Sequence, residues 1–196
     1  MAGQYAGTVL VARSMAECHL YMYLHPCPHC GEPEFSWSQH GAGIRDGQHT
    51  SSYEGACPTC RSARRFDFIV LDYDLAPPAL GGAEPSRIID PAEFLDAGDR
   101  AAEYAVVQPG AAPDDVAVAY DAAVDAVAAV DEVLKFIPPG ASVVPETAFG
   151  SPAGRAALAD DPGRFSRERL ESVLAQRRQV LAAVSRDMDA IDWDSG

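Results

Sequence analysis

Four of the five cysteines in this 196-residue chain form two CxxC pairs, Cys27 with Cys30 and Cys57 with Cys60. A CxxC turn bends the backbone so that both sulfurs can face one ion. Four thiolates then make the tetrahedral shell that suits Zn²⁺. A proline follows the first cysteine of each pair and stiffens the turn. The spacing therefore predicts one structural zinc ion with these four cysteines as its ligands.

The residues that follow the two pairs differ. Gly31 follows the first pair and suits the positive φ that ends such a turn, whereas Arg61 occupies the matching position after the second pair. A closed shell of four sulfurs leaves no coordination position for water or substrate, which argues against zinc catalysis. Iron in a rubredoxin-like site and a redox-active dithiol remain alternatives to zinc.

The residues around the cysteines are typical of β-structure. Segments 34–39, 49–55 and 65–71 alternate in polarity or are rich in aromatic and β-branched residues. They predict a three-stranded antiparallel sheet with the metal at one end. The 26 residues between the CxxC pairs are then accounted for by a hairpin. Ser14 and Glu17 form a capping-box pattern for a short helix from Met15 to about Leu24, after a tail or a short strand over 8–12.

Residues 25–73 resemble a zinc ribbon, the class of small β modules with CPxC turns at the ends of a hairpin. The resemblance rests on Cys27-Pro28-His29-Cys30-Gly31 and Cys57-Pro58-Thr59-Cys60. It implies a three-stranded ribbon with the four cysteines as metal ligands. The motif is specific for metal binding and carries no information about function.

The remaining chain is predicted to be helical. Helix-start signals at Asp90, Asp114, Ser151 and Ser166 predict helices over 91–106, 114–137, 151–159 and 166–190. Two of these helices carry an apolar seam with steps of three and four, which is typical of helices that pack together. The seams are Val116, Tyr120, Ala123, Val127, Val130, Leu134 and Ile137, and Leu170, Leu174, Arg177, Leu181, Val184, Met188 and Ile191. We expect an α+β protein in which a ribbon module over residues 1–75 packs with a C-terminal helical bundle over residues 76–196 as one compact unit.

The chain is strongly acidic, with 15 basic and 29 acidic residues and a net charge of −14. Such a field repels phosphate backbones and anionic membranes, so direct nucleic-acid and membrane binding are disfavoured. The natural partner is a basic protein, although acidity also serves solubility alone. The acidic residues concentrate in the middle helices. There Asp114, Asp121, Asp125 and Glu132 share a face and are the candidate partner-binding residues.

The sequence also indicates the cellular location of the protein. No apolar run approaches the roughly 18 residues of a membrane helix. The first 13 residues lack the charge pattern of a secretory signal. Five cysteines, of which four are spaced as metal ligands and one is left over, fit a reducing compartment better than a disulfide framework, so we expect a cytoplasmic protein.

Other reactive side chains carry weaker signals, and we expect most of them to be solvated or buried. The alternatives are extra metal donors at His25 and His29, a second site at His40 and His49 with Asp46, a phosphate contact at Arg64 and Arg65, and a buried, inert thiol at Cys18 beside His19. The chain contains no Gly-rich phosphate loop, GxSxG or HExxH motif. Enzyme activity is therefore uncertain, and a non-enzymatic role is favoured.

The zinc module followed by acidic helices is similar to bacterial double-CxxC immunity proteins of polymorphic toxin systems. The similarity rests on Cys27, Cys30, Cys57 and Cys60, although glycine follows only the first pair. It implies an acidic protein-binding protein that neutralises a basic toxin domain. The alternatives are a zinc-ribbon regulatory or transcription-associated factor that acts through protein contacts, and an enzyme with an unrecognised site. A homodimer is also left open.

Overall fold

The protein is α+β, and a computed structural model describes residues 9–76 and 79–191. The chain divides into two compact units, residues 1–89 and residues 90–196. The first unit holds β1 (Leu10–Ala12), α1 (Met15–Leu24), β2 (Ser36–Arg45), β3 (Gln48–Ala56) and β4 (Ala63–Val70). The second holds α2 (Pro91–Tyr104), α3 (Pro113–Lys135), α4 (Pro152–Asp160) and α5 (Arg167–Asp189).

The sheet differs from the predicted three antiparallel strands, because it is mixed and has four strands in the order β1-β4-β3-β2. The short strand β1 pairs in parallel with β4, and Ala12 lies opposite Val70. Both of these residues are buried, so the pairing makes the end of β1 part of the hydrophobic core of the first unit. The three-strand prediction was wrong because a parallel pair between distant segments has no turn signal in the sequence. Thr8, where the predicted strand began, lies outside the described residues.

One face of the sheet is covered by α1. The buried cluster there consists of Ala12, Cys18, Met22, Tyr53, Phe68 and Val70. The helix begins as predicted, because the Ser14 side chain accepts a hydrogen bond from the backbone N–H of Glu17. The Glu17 carboxylate is buried and binds the Arg13 guanidinium in return. These contacts fix α1 above the sheet.

The boundary between the units lies further along the chain than position 75. Ser14 Oγ donates a hydrogen bond to the backbone oxygen of Leu80, and Arg13 Nη1 donates to that of Glu84. These contacts attach the segment over 79–89 to the first unit. The sequence marks that segment only by its prolines and glycines, which indicate a linker without indicating where it docks.

In the second unit, α3 packs against both α2 and α5. Small residues make this close packing feasible. A Cβ atom at Gly98 of α2 would meet the Ala129 side chain of α3. Arg177, the polar residue in the predicted α5 seam, is buried, donates to the Ala126 backbone oxygen and pairs with Asp99. A charged residue within a seam is therefore accommodated by partners on both neighbouring helices.

A single carboxylate connects the starts of α2 and α4. Asp90 Oδ1 accepts hydrogen bonds from the backbone N–H groups of Ala92 and Glu93. Asp90 Oδ2 accepts from the backbone N–H and the hydroxyl of Ser151, the N-cap residue of α4. Since free N–H groups and partial positive charge accumulate at helix N-termini, one buried carboxylate serves both helices.

Candidate metal centre

Each CxxC pair forms a turn with the same backbone hydrogen bonds. The Cys27 oxygen accepts from the Gly31 N–H at 2.8 Å, and the Cys27 N–H donates to the Glu32 oxygen at 2.7 Å. In the second turn, Cys57 makes the equivalent bonds with Arg61 and Ser62 at 3.0 and 2.9 Å. The two turns are therefore copies of one local structure at different points of the chain.

The position after each pair has a left-handed backbone, as the sequence indicated for Gly31. The φ angle is 77° at Gly31 and 62° at Arg61. Glycine adopts this conformation freely, whereas a residue with a Cβ atom is strained there. The second turn keeps the same geometry with an arginine, so the surrounding bonds impose the conformation despite the side chain.

The four predicted sulfur atoms come together. Cys27 Sγ lies 3.6 Å from Cys60 Sγ, and Cys30 Sγ lies 3.5 Å from Cys57 Sγ. All four sulfur atoms lie within 4.8 Å of one another, and all four thiols are free of disulfide bonds. A tetrahedron with metal–sulfur bonds of about 2.3 Å has sulfur–sulfur edges of about 3.8 Å. The cluster therefore fits one structural metal ion bound by four sulfurs.

Ser62 is a feature of this centre that the sequence reasoning missed. Its hydroxyl lies 3.3 Å from Cys27 Sγ and 3.1 Å from Cys60 Sγ, so its single proton can be donated to the thiolate of either turn. This donation lowers the pKa of both the Cys27 and the Cys60 thiols. The sequence feature that could have indicated this role is a hydroxyl residue two positions after the second CxxC pair.

A second hydrogen bond joins the two turns at the surface. The Thr59 hydroxyl donates to the Glu32 carboxylate at 2.6 Å. The bond stabilises the ionised carboxylate and lowers the pKa of Glu32. The middle of one CxxC turn is thus tied to the segment just after the other.

Arg64 braces the first turn, and its engagement with backbone oxygens speaks against the alternative of a phosphate contact. The side chain is buried, and its guanidinium donates to the backbone oxygens of His25 and Glu34. The same group lies 4.8 Å from the ring centre of Phe35 and 5.3 Å from that of Phe66. Since His25 and Glu34 flank the first turn, Arg64 fastens both ends of that loop to β4.

Arg65 and His25, which also lie near the centre, have partners of their own. Arg65 pairs with Glu54 and Asp67. His25 Nδ1 contacts the Tyr21 backbone oxygen, and its ring stacks on that of Tyr21. Within residues 9–76 and 79–191, the group of potential metal ligands contains the four cysteines alone. Extra donors at His25 and His29, and a second site at His40 and His49 with Asp46, are not formed there.

Cys18 lies in the core of the first unit. Burial, followed by the nearby Glu17 carboxylate, raises the pKa of this thiol to about 12. A thiol with such a pKa stays protonated at neutral pH and is a poor nucleophile. The adjacent His19 contacts the Tyr53 hydroxyl at 3.0 Å, and burial followed by the charge of His40 lowers its pKa.

Three of the four predicted partner-binding carboxylates are exposed on α3, and one is not. Asp114, Asp121 and Asp125 are exposed. Glu132 is buried and pairs with Lys135. At 100° per residue Glu132 does project on the same side as Asp114. The buried face of α3, however, shifts around the helix axis from its start to its end. In the last turns this face includes Ala129 and Val133, and Glu132 lies within it.

The fold and the site define an α+β protein with a four-cysteine metal centre in its first unit. No protein-family model, curated protein or solved structure matches this chain. In the part of the chain that is described, no helix combines the length and apolar character needed to cross a membrane.

Proposed function

We propose that the centre holds one structural Zn²⁺ and that the chain is a non-enzymatic protein-binding protein with an acidic recognition surface. The observation that carries the proposal is the closed set of four sulfurs. Four sulfurs would fill a tetrahedral shell, so the metal would stabilise the fold and would have no position left for a substrate. A site built from four reduced thiols suits a reducing compartment, and we propose the cytoplasm.

The acidic surface is proposed to be the exposed side of α3 around Asp121 and Asp125. Several other carboxylates of the second unit are already in ion pairs, among them Asp96 and Asp99 with Arg164. No ion pair joins Asp121 or Asp125 to another described residue. Partial desolvation, followed by repulsion from Asp121, raises the pKa of Asp125. A basic side chain from a partner would relieve this repulsion, which supports a basic protein as the ligand.

Native mass spectrometry of the protein purified gently from its own cells tests both parts of the proposal. We expect a mass with one zinc ion per chain and a stoichiometric basic partner. Iron at the site would contradict the metal assignment. A bare monomer that also fails to retain basic proteins at low salt would contradict the binding function.

Charge reversal then locates the surface. The double variant Asp121→Lys/Asp125→Lys should slow association with the purified partner at low salt, because steering depends on long-range charge. The matched control Asp187→Lys/Asp189→Lys makes the same change in net charge at exposed positions of α5. Equal association rates for the two double variants would show that the α3 surface is only solvated.

Neutralisation of a basic toxin domain is the specific form of binding that we propose. The acidic surface and the metal-stabilised first unit support this form. Growth protection tests it: co-expression of the wild-type chain, but not of the Asp121→Lys/Asp125→Lys variant, should rescue cells that produce the captured partner. A partner that has no effect on growth when produced alone would contradict this form and leave the binding function intact.

A further inference from the structure

Among the described residues, the outer edge of β2 has no strand paired with it. In the sheet order β1-β4-β3-β2, nine of the ten residues of β2 pair with β3 on one side, Ser38 being the exception, and no described strand lies on the other. All ten residues are exposed. Such an edge is a template for another strand unless lysines, prolines, bulges or inward-pointing charges protect it. β2 contains no lysine or proline, and its single charge, Arg45, stands at its end. Its one register shift, at Ser38, lies before the stretch from His40 to Ile44, which pairs regularly with β3.

The turn that joins β2 to β3 determines which backbone groups point outward. Asp46 and Gly47 both have positive φ angles, 53° and 77°, as a two-residue type I′ turn requires. The flanking pair Arg45 and Gln48 is then a hydrogen-bonded pair, and pairing alternates from there. It follows that the N–H and C=O groups of His40, Ala42 and Ile44 point away from β3.

These three residues also share one face of the sheet. They lie opposite Tyr53, Ser51 and His49, on the side that α1 covers further along the sheet. The register shift at Ser38 turns Trp37 to this same face, where its ring stacks on His19. Trp37 and Ile44 are therefore exposed apolar side chains beside one unpaired edge, 43% and 70% exposed.

We propose that the occupant of this edge is β2 of a second copy, paired antiparallel about a twofold axis at Ala42. The outward groups are symmetric about that residue. Ala42 would pair with the partner's Ala42, and His40 with the partner's Ile44, so every outward N–H meets an outward C=O. The twofold joins the two sheets into one eight-stranded sheet and gives six backbone hydrogen bonds.

Charge and bulk favour a second copy. Arg45 would stand opposite the partner's Gln39, so no like charges face each other. Gly41, Ala42 and Gly43 place little bulk at the axis, so the two backbones can approach. Residues 1–89 carry six arginines and nine acidic residues, so the strong negative charge of the chain is concentrated elsewhere. The inference is independent of the proposed partner binding by α3.

The test is sedimentation equilibrium of the full-length, metal-loaded chain over a concentration series. We expect a concentration-dependent dimer, because one strand pair buries less area than a standard interface. Ala42→Lys should give a monomer, since two lysines would meet at the axis. The matched control Ala182→Lys, at an exposed position of α5, should remain dimeric.

A second variant separates strand pairing from the effect of charge. Ala42→Pro removes the central N–H donor of each copy, which points away from β3, so the hairpin should keep its own hydrogen bonds. Loss of two hydrogen bonds per dimer should weaken association roughly 30-fold. A wild-type chain that stays monomeric at all concentrations would overturn the proposal. So would a dimer that both Ala42 variants leave intact.

Discussion

Removal of the metal should unfold the first unit and leave the second one helical. Binding to a four-thiolate site contributes on the order of 10 kcal/mol. The whole stability of a domain is only about 5–15 kcal/mol. The first unit has a small buried cluster, and all of β2 is exposed. We therefore expect this unit to lose its tertiary structure when a strong chelator strips the metal under reducing conditions.

The size of the spectroscopic change follows from the helix lengths. Over the described ranges of the chain, the first unit contains one α-helix, α1, with 10 residues, whereas α2, α3, α4 and α5 contain 14, 23, 9 and 23. About seven-eighths of the described α-helical residues thus lie in the second unit. Far-UV circular dichroism at 222 nm should fall by roughly an eighth on full unfolding of the first unit. The near-UV signal of the aromatic cluster around Tyr53 should collapse.

Single cysteine variants distinguish the effect of losing the metal from a general loss of stability. Cys57→Ser should bind no stoichiometric metal and should resemble the stripped protein. Cys18→Ser is the matched control, because Cys18 is buried, protonated and outside the cluster, and it should keep one metal ion per chain. An unchanged near-UV spectrum after complete metal removal would refute the structural role. Loss of most of the signal at 222 nm would refute the independence of the second unit.

Three further outcomes are expected. Asp90→Ala should cost about 2–4 kcal/mol in urea unfolding, because it removes the cap of α2 and both hydrogen bonds to Ser151, the N-cap residue of α4. Ser166→Ala removes a single cap and should cost about 1 kcal/mol, so equal costs would show that the Asp90 carboxylate is not shared. Asp125→Asn should raise the melting temperature at pH 7, because the raised pKa of Asp125 means that its ionised carboxylate destabilises the fold. At a pH below the ordinary aspartate pKa the carboxyl is protonated, and the same variant should leave the melting temperature unchanged. Gly31→Ala should lower the free energy of unfolding by about 1 kcal/mol or more, because the φ angle of 77° strains a residue that has a Cβ atom. No neighbour would clash with the new Cβ, so an unchanged stability would contradict this backbone argument.

Local patterns predicted the metal centre well. A CxxC turn is determined by a few adjacent residues, so its geometry and the positive φ at Gly31 could be read from the sequence. The helix starts at Ser14, Asp90 and Ser166 were equally local, because each cap bonds within three residues. Such features depend on short-range geometry alone.

The features that sequence reasoning missed depend on distant partners. The parallel pairing of β1 with β4 joins segments almost 60 residues apart. Arg64 follows the second CxxC pair and suggested a surface cation, but its partners are the backbone oxygens of His25 and Glu34. Glu132 fits the acidic face of an isolated α3, but it is buried in the fold, where α3 packs against both α2 and α5. A single helix projection cannot include that contact.

The long spacing between the two CxxC pairs follows from the position of the metal at the open end of the hairpin. β2 begins at Ser36, shortly after the first turn, and β3 ends at Ala56, directly before Cys57. The 26 intervening residues are mostly these two strands and their two-residue turn. An edge strand with every residue exposed gains little from the core, so its attachment depends on pairing with β3 and on closure at its base. The four cysteines, the Thr59–Glu32 hydrogen bond and Arg64 all lie at that base. A metal bound by the cysteines would therefore hold the two strands of the hairpin together at this end, and its loss should release β2 first.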